Sequence, residues 1–280
     1  MLDETAARGY ILGMSGEHVL QVRNLRVDYR RGRALTHAVR GVELDVFAGE
    51  SLGIIGESGC GKSSLGKSVL GLVPSTADEL RLFGIATSGL SSDGWTRVRR
   101  RAQMVFQDVG GALSPRMRVG DAVTEGLIVH GMIDGSEKRR DKAAEVLHLV
   151  GLDGGVARRF PHELSGGQRQ RVLIARALAL DPDFVVADEP IASLDVSVQT
   201  QILALLDEIR RDRPFTLMFI THDIRAVKAL CTRVAVMYEG RFVEQGPTAE
   251  VLRDPADPYT RLLIDSVPSL DPLAEKHRLS

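Results

Sequence analysis

Cysteine is scarce in this chain: 280 residues carry only Cys60 and Cys231. No C-x-x-C spacing and no His/Cys cluster occurs, so a zinc site is not indicated. Cys60 lies in a glycine-rich loop that must stay free, and no disulfide is expected. Long apolar runs are also missing. Nothing approaches the ~18–20 residues of a membrane span, so any membrane role has to come through a partner. The first residues, Met1-Leu2-Asp3-Glu4-Thr5, carry acid rather than the basic start of a secretory leader, so the chain reads as cytosolic. Excess charge is absent too. With 36 basic and 37 acidic residues the net charge is −1, which gives no overall pull toward nucleic acid or anionic lipid. No internal repeat or low-complexity tract is found.

The hydrophobic fraction is 44%, ample for a buried core. The length suits one large domain or two small ones. Residues 1–16 are polar, contain glycine and have no period, and are expected to be mobile. Met14, followed by Ser15-Gly16-Glu17 and then a strand-like run, is the expected natural start.

The chain is organised around Gly56-Glu57-Ser58-Gly59-Cys60-Gly61-Lys62-Ser63-Ser64, which fits G-x-x-x-x-G-K-[ST]. Ser51–Ile55 before it is short and apolar enough for a buried strand; Ser64–Leu70 after it reads as a helix. Strand, loop, helix is the context this motif needs. Glycines at 56, 59 and 61 let backbone N–H groups approach phosphate oxygens. The helix N-terminus adds its positive dipole end. Lys62 is placed to reach the β- and γ-phosphates of ATP, and the Ser63 hydroxyl to ligate Mg²⁺.

Val19–Tyr29 and Thr36–Val46 read as strands. Tyr29 ends the first, shortly upstream of the phosphate loop. On position alone it is equally a ring stacked on adenine or an ordinary strand-end aromatic. Arg97, Arg99, Arg100 and Arg101 form a basic run, read as a solvated face. Ala102–Gln107 is a short buried strand ending in Gln107. Residues 112–163 look helical, with Glu137–Val150 at mostly helical spacing and Gly151 as the stop. Ser165 is a plausible N-cap for a helix ending before Pro182. Phe184–Glu189 is an apolar strand that delivers Asp188 and Glu189 at its end, where open α/β sheets bind ligands. A helix follows from about Val196 to Arg211. Thr216–Ile220 is another buried strand, ending at Thr221-His222-Asp223. Val234–Met237 and Phe242–Glu244 form the last strand pair, and Ala249–Leu252 a short helix.

Lys62, Gln107, Leu164-Ser165-Gly166-Gly167-Gln168, Asp188-Glu189, Asp195 and His222 occur in this order and spacing. The set resembles the ATP-binding subunit of an ABC transporter, and the likeness runs from about Val19 to Pro268. It implies an α/β fold: a P-loop NTPase (RecA-like) core, an N-terminal antiparallel β subdomain and an inserted α-helical subdomain at about 112–180. The whole ATP-binding domain is then 17–254, followed by a tail, 255–280. It implies ATP and Mg²⁺ as cofactors. Tyr29 matches the adenine-stacking aromatic. Asp188 holds Mg²⁺ with Ser63, Glu189 is the general base, and Gln107 touches Mg²⁺ and the lytic water. His222 contacts the γ-phosphate; a lone histidine at a strand end is otherwise more often structural, so the spacing carries this reading. In the family two subunits pair head-to-tail, so Ser165–Gln168 of one covers ATP held by the other's Lys62 loop, and Asp195 bridges the interface. No residue of this set lies beyond His222, so removing the segment from Asp254 onward is expected to spare nucleotide binding and to weaken complex assembly.

A narrower resemblance is to the peptide/nickel importer branch. Its marks are Leu164–Val172, Leu194–Gln199 and Asp257-Pro258-Tyr259-Thr260-Arg261-Leu262-Leu263, where that branch usually has His at 257. After Gln107, Asp108-Val109-Gly110-Gly111-Ala112-Leu113-Ser114-Pro115 departs mildly from the branch in the segment that faces the transmembrane partner. The implied partners are a second ATP-binding subunit (a paralogue or a copy), two membrane permease subunits and, indirectly, an extracytoplasmic substrate-binding protein; nucleic acid is not expected. The implied location is the cytoplasmic face of the membrane. Rival functions are the ATP-binding component of a soluble complex, such as a phosphonate-cleaving lyase, and a non-transport ABC ATPase acting on DNA or ribosomes. The interval from Ser63 to Leu164 shows no sustained heptads, and the cassette occurs once, both of which disfavour the last.

Overall fold

The structure, a computed structural model, describes residues 16–32, 34–107 and 109–266. The expected mobile start with Met14, most of the tail beyond Ser266, and Asp108 lie outside the described residues. In chain order the elements begin with strands β1 (His18–Arg31), β2 (Ala34–Phe47) and β3 (Ser51–Ile55), then helix α1 (Lys62–Val69). Strands β4 (Glu79–Leu82) and β5 (Ile85–Ala86) precede helix α2 (Ser92–Arg101) and strand β6 (Ala102–Val105). A helical stretch follows: α3 (Val109–Ala112), α4 (Val119–Val129), α5 (Ser136–Leu149) and α6 (Gly166–Leu178). Then come β7 (Phe184–Asp188), α7 (Val196–Asp212), β8 (Thr216–Ile220), α8 (Ile224–Leu230), β9 (Arg233–Tyr238) and β10 (Arg241–Pro247). Helices α9 (Thr248–Arg253) and α10 (Pro258–Asp265) end the described chain.

Two sheets result. One has the order β2-β1-β4-β5 and is antiparallel throughout. The other has the order β10-β9-β3-β8-β7-β6, parallel except for β10. Strands β3, β7 and β8 are buried at every residue, as parallel strands covered on both faces must be. Alternate residues divide between two cores. Val185 and Ala187 of β7, with Leu217 and Phe219 of β8, join the core that holds α4–α8. Phe184, Val186, Met218 and Ile220 join the core that holds α1 and the antiparallel sheet. The period-two pleat alone produces this division.

The expected α/β fold is therefore present, with an antiparallel sheet, a parallel sheet and a helical stretch. Within 112–163 the helical reading is corrected in detail: α4 and α5 are separated by loops, and residues 154–158 and 161–163 are short 3₁₀ turns. Gly151 ends α5 at φ +69°, as expected of a helix stop. The basic run is also corrected. It lies on α2, where the Arg99 guanidinium donates to the Leu70 and Gly71 carbonyls, and Arg101 pairs with Asp183. Part of this run thus ties α2 to its neighbours rather than facing only water.

Candidate functional site

Four strands end on the same edge of the parallel sheet, and each ends in a candidate residue. β3 runs into the phosphate loop, β6 leads to Gln107, β7 to Asp188-Glu189, and β8 to Thr221-His222. In parallel strands all carboxyl ends lie together, so residues far apart in sequence meet there.

The phosphate loop can close only with glycine at two positions. A Cβ on Gly56 would lie 2.1 Å from the Met237 carbonyl oxygen, and one on Gly61, at φ +113°, 2.1 Å from that of Ala38. Inside the loop the Lys62 side chain is 4% exposed. Its ammonium donates to the Gly56 carbonyl at 2.8 Å and the Glu57 carbonyl at 2.7 Å. These two carbonyls take the ammonium charge. Cys60 is buried beside it, which pushes the thiol pKa up while the Lys62 ammonium opposes the rise.

Ser63 Oγ donates to Asp188 Oδ1 at 2.7 Å. Asp188 is 1% exposed, and burial holds its carboxyl above the ordinary range against the pull of Ser63, Lys67 and Lys62. A buried carboxylate paired with a hydroxyl is a donor set that suits a small hard cation. Among the described residues no group of three or more His, Cys, Asp and Glu could hold a metal. Mg²⁺ takes one or two protein ligands and draws the rest from phosphate and water. Gln107 is drawn to Glu189 here rather than to Asp188.

Glu189 sits at φ +44°, in the left-handed region, with its N–H held by the Ile220 carbonyl at 2.9 Å. Such a non-glycine conformation costs of order 1–3 kcal/mol and persists only where the surroundings enforce it. It turns the carboxylate between two partners. Gln107 Nε2 donates to Oε2 at 3.0 Å, and His222 Nδ1 lies 3.3 Å from Oε1. On the opposite flank the Tyr29 hydroxyl donates to Ser64 Oγ at 3.2 Å, with the residue 40% exposed.

Residues 164–168 stand apart. Among the described residues no hydrogen bond or ion pair joins them to the phosphate loop. Ser165 Oγ accepts from the Gln168 N–H at 3.2 Å, and Gln168 Oε1 accepts from the Ser165 N–H at 3.1 Å. This reciprocal capping box opens α6 and leaves the first N–H groups, those of Gly166 and Gly167, without intrahelical partners. Asp195 caps α7 by accepting from the Val198 N–H at 3.0 Å. The two segments pack together, since a Cβ on Gly167 would lie 2.7 Å from Val198 Cγ1.

The segment beyond Asp254 reaches the loop: the Glu57 N–H donates to the Tyr259 hydroxyl at 3.0 Å. Sequence reasoning passed over Tyr259; its only signal was membership of the Asp257-Pro258-Tyr259-Thr260 tail mark.

Residues 39–192 match the family described as "ABC transporter". The chain belongs to that family. As an ABC ATPase it binds and hydrolyses ATP. Residues 243–279 match a second family, "Oligopeptide/dipeptide transporter, C-terminal region". The ABC chain is 41% identical over 264 residues to the oligopeptide transport ATP-binding protein OppF of Bacillus subtilis, covering 94% of this chain and 87% of the relative. It is 41% identical over 263 residues to the dipeptide transport ATP-binding protein DppF of Lactococcus lactis subsp. cremoris, covering 93% and 84%. Among solved structures it resembles a dimeric ATP-binding cassette in a post-hydrolysis state bound to ADP and Pi. That match has TM-score 0.74 and 31% identity over 82% of this chain and 98% of the other. A cassette from Clostridium perfringens, part of an ABC transporter complex, matches at TM-score 0.74 and 30% identity over 85% and 92%. Among the described residues no helix is long and apolar enough to cross a membrane.

Proposed function

We propose that this ABC ATPase powers the import of peptides, or of a similar small solute, through separate membrane permease subunits. The observation that carries the reading is the match of residues 243–279 to the oligopeptide/dipeptide transporter C-terminal region, on a chain whose residues 39–192 match the ABC transporter family. The names of the relatives agree with it. The proposed layout is an ATP-binding domain at 17–254, its helical insert at about 112–180, and a tail at 255–280. The proposed assembly has a second ATP-binding subunit (a copy or a paralogue), two permeases and an extracytoplasmic binding protein, with this chain on the cytoplasmic face.

Each residue then has a task. The loop N–H groups of 58–64 cradle the phosphates, and Lys62 exchanges the Gly56 and Glu57 carbonyls for β- and γ-phosphate oxygens. Ser63 and Asp188 would hold Mg²⁺, with Gln107 beside them. The ion would supply charge neutralisation on the phosphates. Glu189 accepts a proton from the attacking water while Gln107 orients that water, and His222 swings from Glu189 to the γ-phosphate. Tyr29 stacks on the adenine. Ser165–Gln168 offers the free N–H groups of Gly166 and Gly167 to ATP held by the partner subunit, with Leu164 buried behind them and Asp195 at the seam.

Purification of the tagged chain from native membranes tests this. Permease subunits should come with it, and peptides presented with the binding protein should stimulate ATP hydrolysis. Recovery of a soluble lyase complex or nucleic acid, with no permease, would overturn the reading.

A further inference from the structure

Three contacts fix the peptide groups of Glu57 at the entry to the phosphate loop. Its carbonyl accepts from the Lys62 ammonium at 2.7 Å and from the Cys60 N–H at 3.3 Å. Its N–H goes outward, to the Tyr259 hydroxyl at 3.0 Å. The first two come from the loop itself. The third comes from α10, about two hundred residues further along the chain. We propose that Tyr259 is a positioning residue for the phosphate loop, so that the C-terminal segment helps to set nucleotide affinity. This inference rests on the reading of that loop as the ATP phosphate site.

Tyr259 is itself held from three sides. Its ring lies against Tyr238 at the end of β9, with centroids 4.3 Å apart at 40°. Its backbone N–H donates to Asp257 Oδ1 at 2.8 Å, the N-cap of α10. The stem of that helix is pinned by Glu244 of β10. One Glu244 oxygen accepts from the Ala256 N–H at 2.9 Å, and the other from the Asp257 N–H at 3.1 Å. Burial works against the Glu244 charge, yet these donors hold its carboxyl below the ordinary range, so the clamp is charged at neutral pH. A continuous run of contacts thus links the edge strand of the parallel sheet, the cap of α10, the Tyr259 hydroxyl and the loop. The turn between β9 and β10 adds a second brace, Gly240 N–H to the Cys60 carbonyl at 2.8 Å.

The consequence concerns preorganisation. When Lys62 leaves the Glu57 carbonyl for a phosphate, the loop loses one of its internal ties. The Tyr259 bond uses an N–H on the outer side of the loop and does not depend on Lys62, so it can persist in the nucleotide-bound form. A loop held in shape before the ligand arrives binds at lower cost in ordering. Removing one neutral hydrogen bond of this kind changes an equilibrium by about two- to tenfold.

The experiment uses the full chain. Tyr259→Phe keeps the ring against Tyr238 and deletes only the hydroxyl. The dissociation constant for Mg·ATP should rise about two- to tenfold, KM of the assembled transporter should rise with it, and kcat should stay within about twofold, since the lost tie acts on binding. A melting temperature close to wild type would exclude a general packing defect. Unchanged affinity and KM in a folded Tyr259→Phe would overturn the inference. Lys62→Ala runs alongside: if it too leaves nucleotide binding untouched, it is the phosphate-loop reading that fails, whereas loss of binding in Lys62→Ala alone isolates the failure to Tyr259. A second measurement needs no variant. In the unmodified protein the Glu57 amide should exchange its proton slowly, as a hydrogen-bonded group does; exchange at the rate of a free loop amide would overturn the inference by itself.

Discussion

The Ser63 hydroxyl and the Asp188 carboxylate meet at 2.7 Å across 125 residues of chain. They meet because α1 starts and β7 ends at one edge of the sheet. Asp188 is charged at a cost there, as its raised pKa shows.

That cost has a pH signature. A carboxyl whose folded pKa lies above its unfolded one favours folding at low pH, and the contribution is lost as pH rises through the folded value. Asp188→Asn should therefore melt above wild type at neutral pH in the nucleotide-free state, and the gap should close as the pH falls and the wild-type carboxyl protonates. The same variant should lose Mg²⁺-dependent ATP hydrolysis. Thermal melts across pH read the first effect and a phosphate-release assay the second; a variant less stable than wild type at neutral pH contradicts the argument.

Glu189→Gln should bind ATP and stop. The amide keeps an oxygen for Gln107 but cannot take a proton from water, and loss of a general base costs about 10²–10⁴-fold in rate. Turnover near wild type in the assembled complex would place the base elsewhere.

Tyr29→Ala should raise KM for ATP with kcat mostly intact, because stacking acts equally on ground and transition states. Loss of one base–aromatic stack is on the order of 1–3 kcal/mol by analogy with nucleic-acid binding. Tyr29→Phe separates the ring from its bond to Ser64 and should behave nearly as wild type. A fall in kcat alone would remove Tyr29 from the adenine site.

Ser165 has two tasks that can be separated. As N-cap of α6 its hydroxyl stabilises the chain; Ser165→Ala should lower stability by about 1 kcal/mol. Asp caps as well as Ser, so Ser165→Asp should keep the melting temperature. It would nonetheless set a negative charge against a phosphate bound by the partner subunit. The expected result is normal nucleotide binding by the single subunit and no hydrolysis by the assembly. Hydrolysis at the wild-type rate would mean that this cap never faces nucleotide.

Much of the fold was legible because its signals are local. The phosphate loop, the buried strands and the Ser165 N-cap each declare themselves within a few residues. Helix α2 was missed because its mean character is polar and its last turn carries Arg99, Arg100 and Arg101, read as a solvated face; at a helix C-terminus those charges complement the dipole. Helix α10 was missed although Asp257-Pro258 is a cap followed by a proline at the first helical position. Tyr259 on Glu57 could not be read at all, since it depends on where β9, β10 and α10 come to lie in space. The same holds for the Gln107–Glu189–His222 cluster, whose order in sequence was visible but whose contacts were not.

The two-core packing of β7 has a consequence for what mutation this protein can absorb. Phe184, Val186 and Asp188 share one parity, that of the α1 side, and Val185 and Ala187 share the other. Asp188 meets Ser63 because it is an even number of residues from Phe184. Deleting or inserting a single residue inside β7 would exchange the two hydrophobic sets and turn Asp188 from the α1 side to the opposite one, while the surface loops can change length by one without touching either. Drift in length is therefore open to the connections of this chain and closed to a strand of five residues.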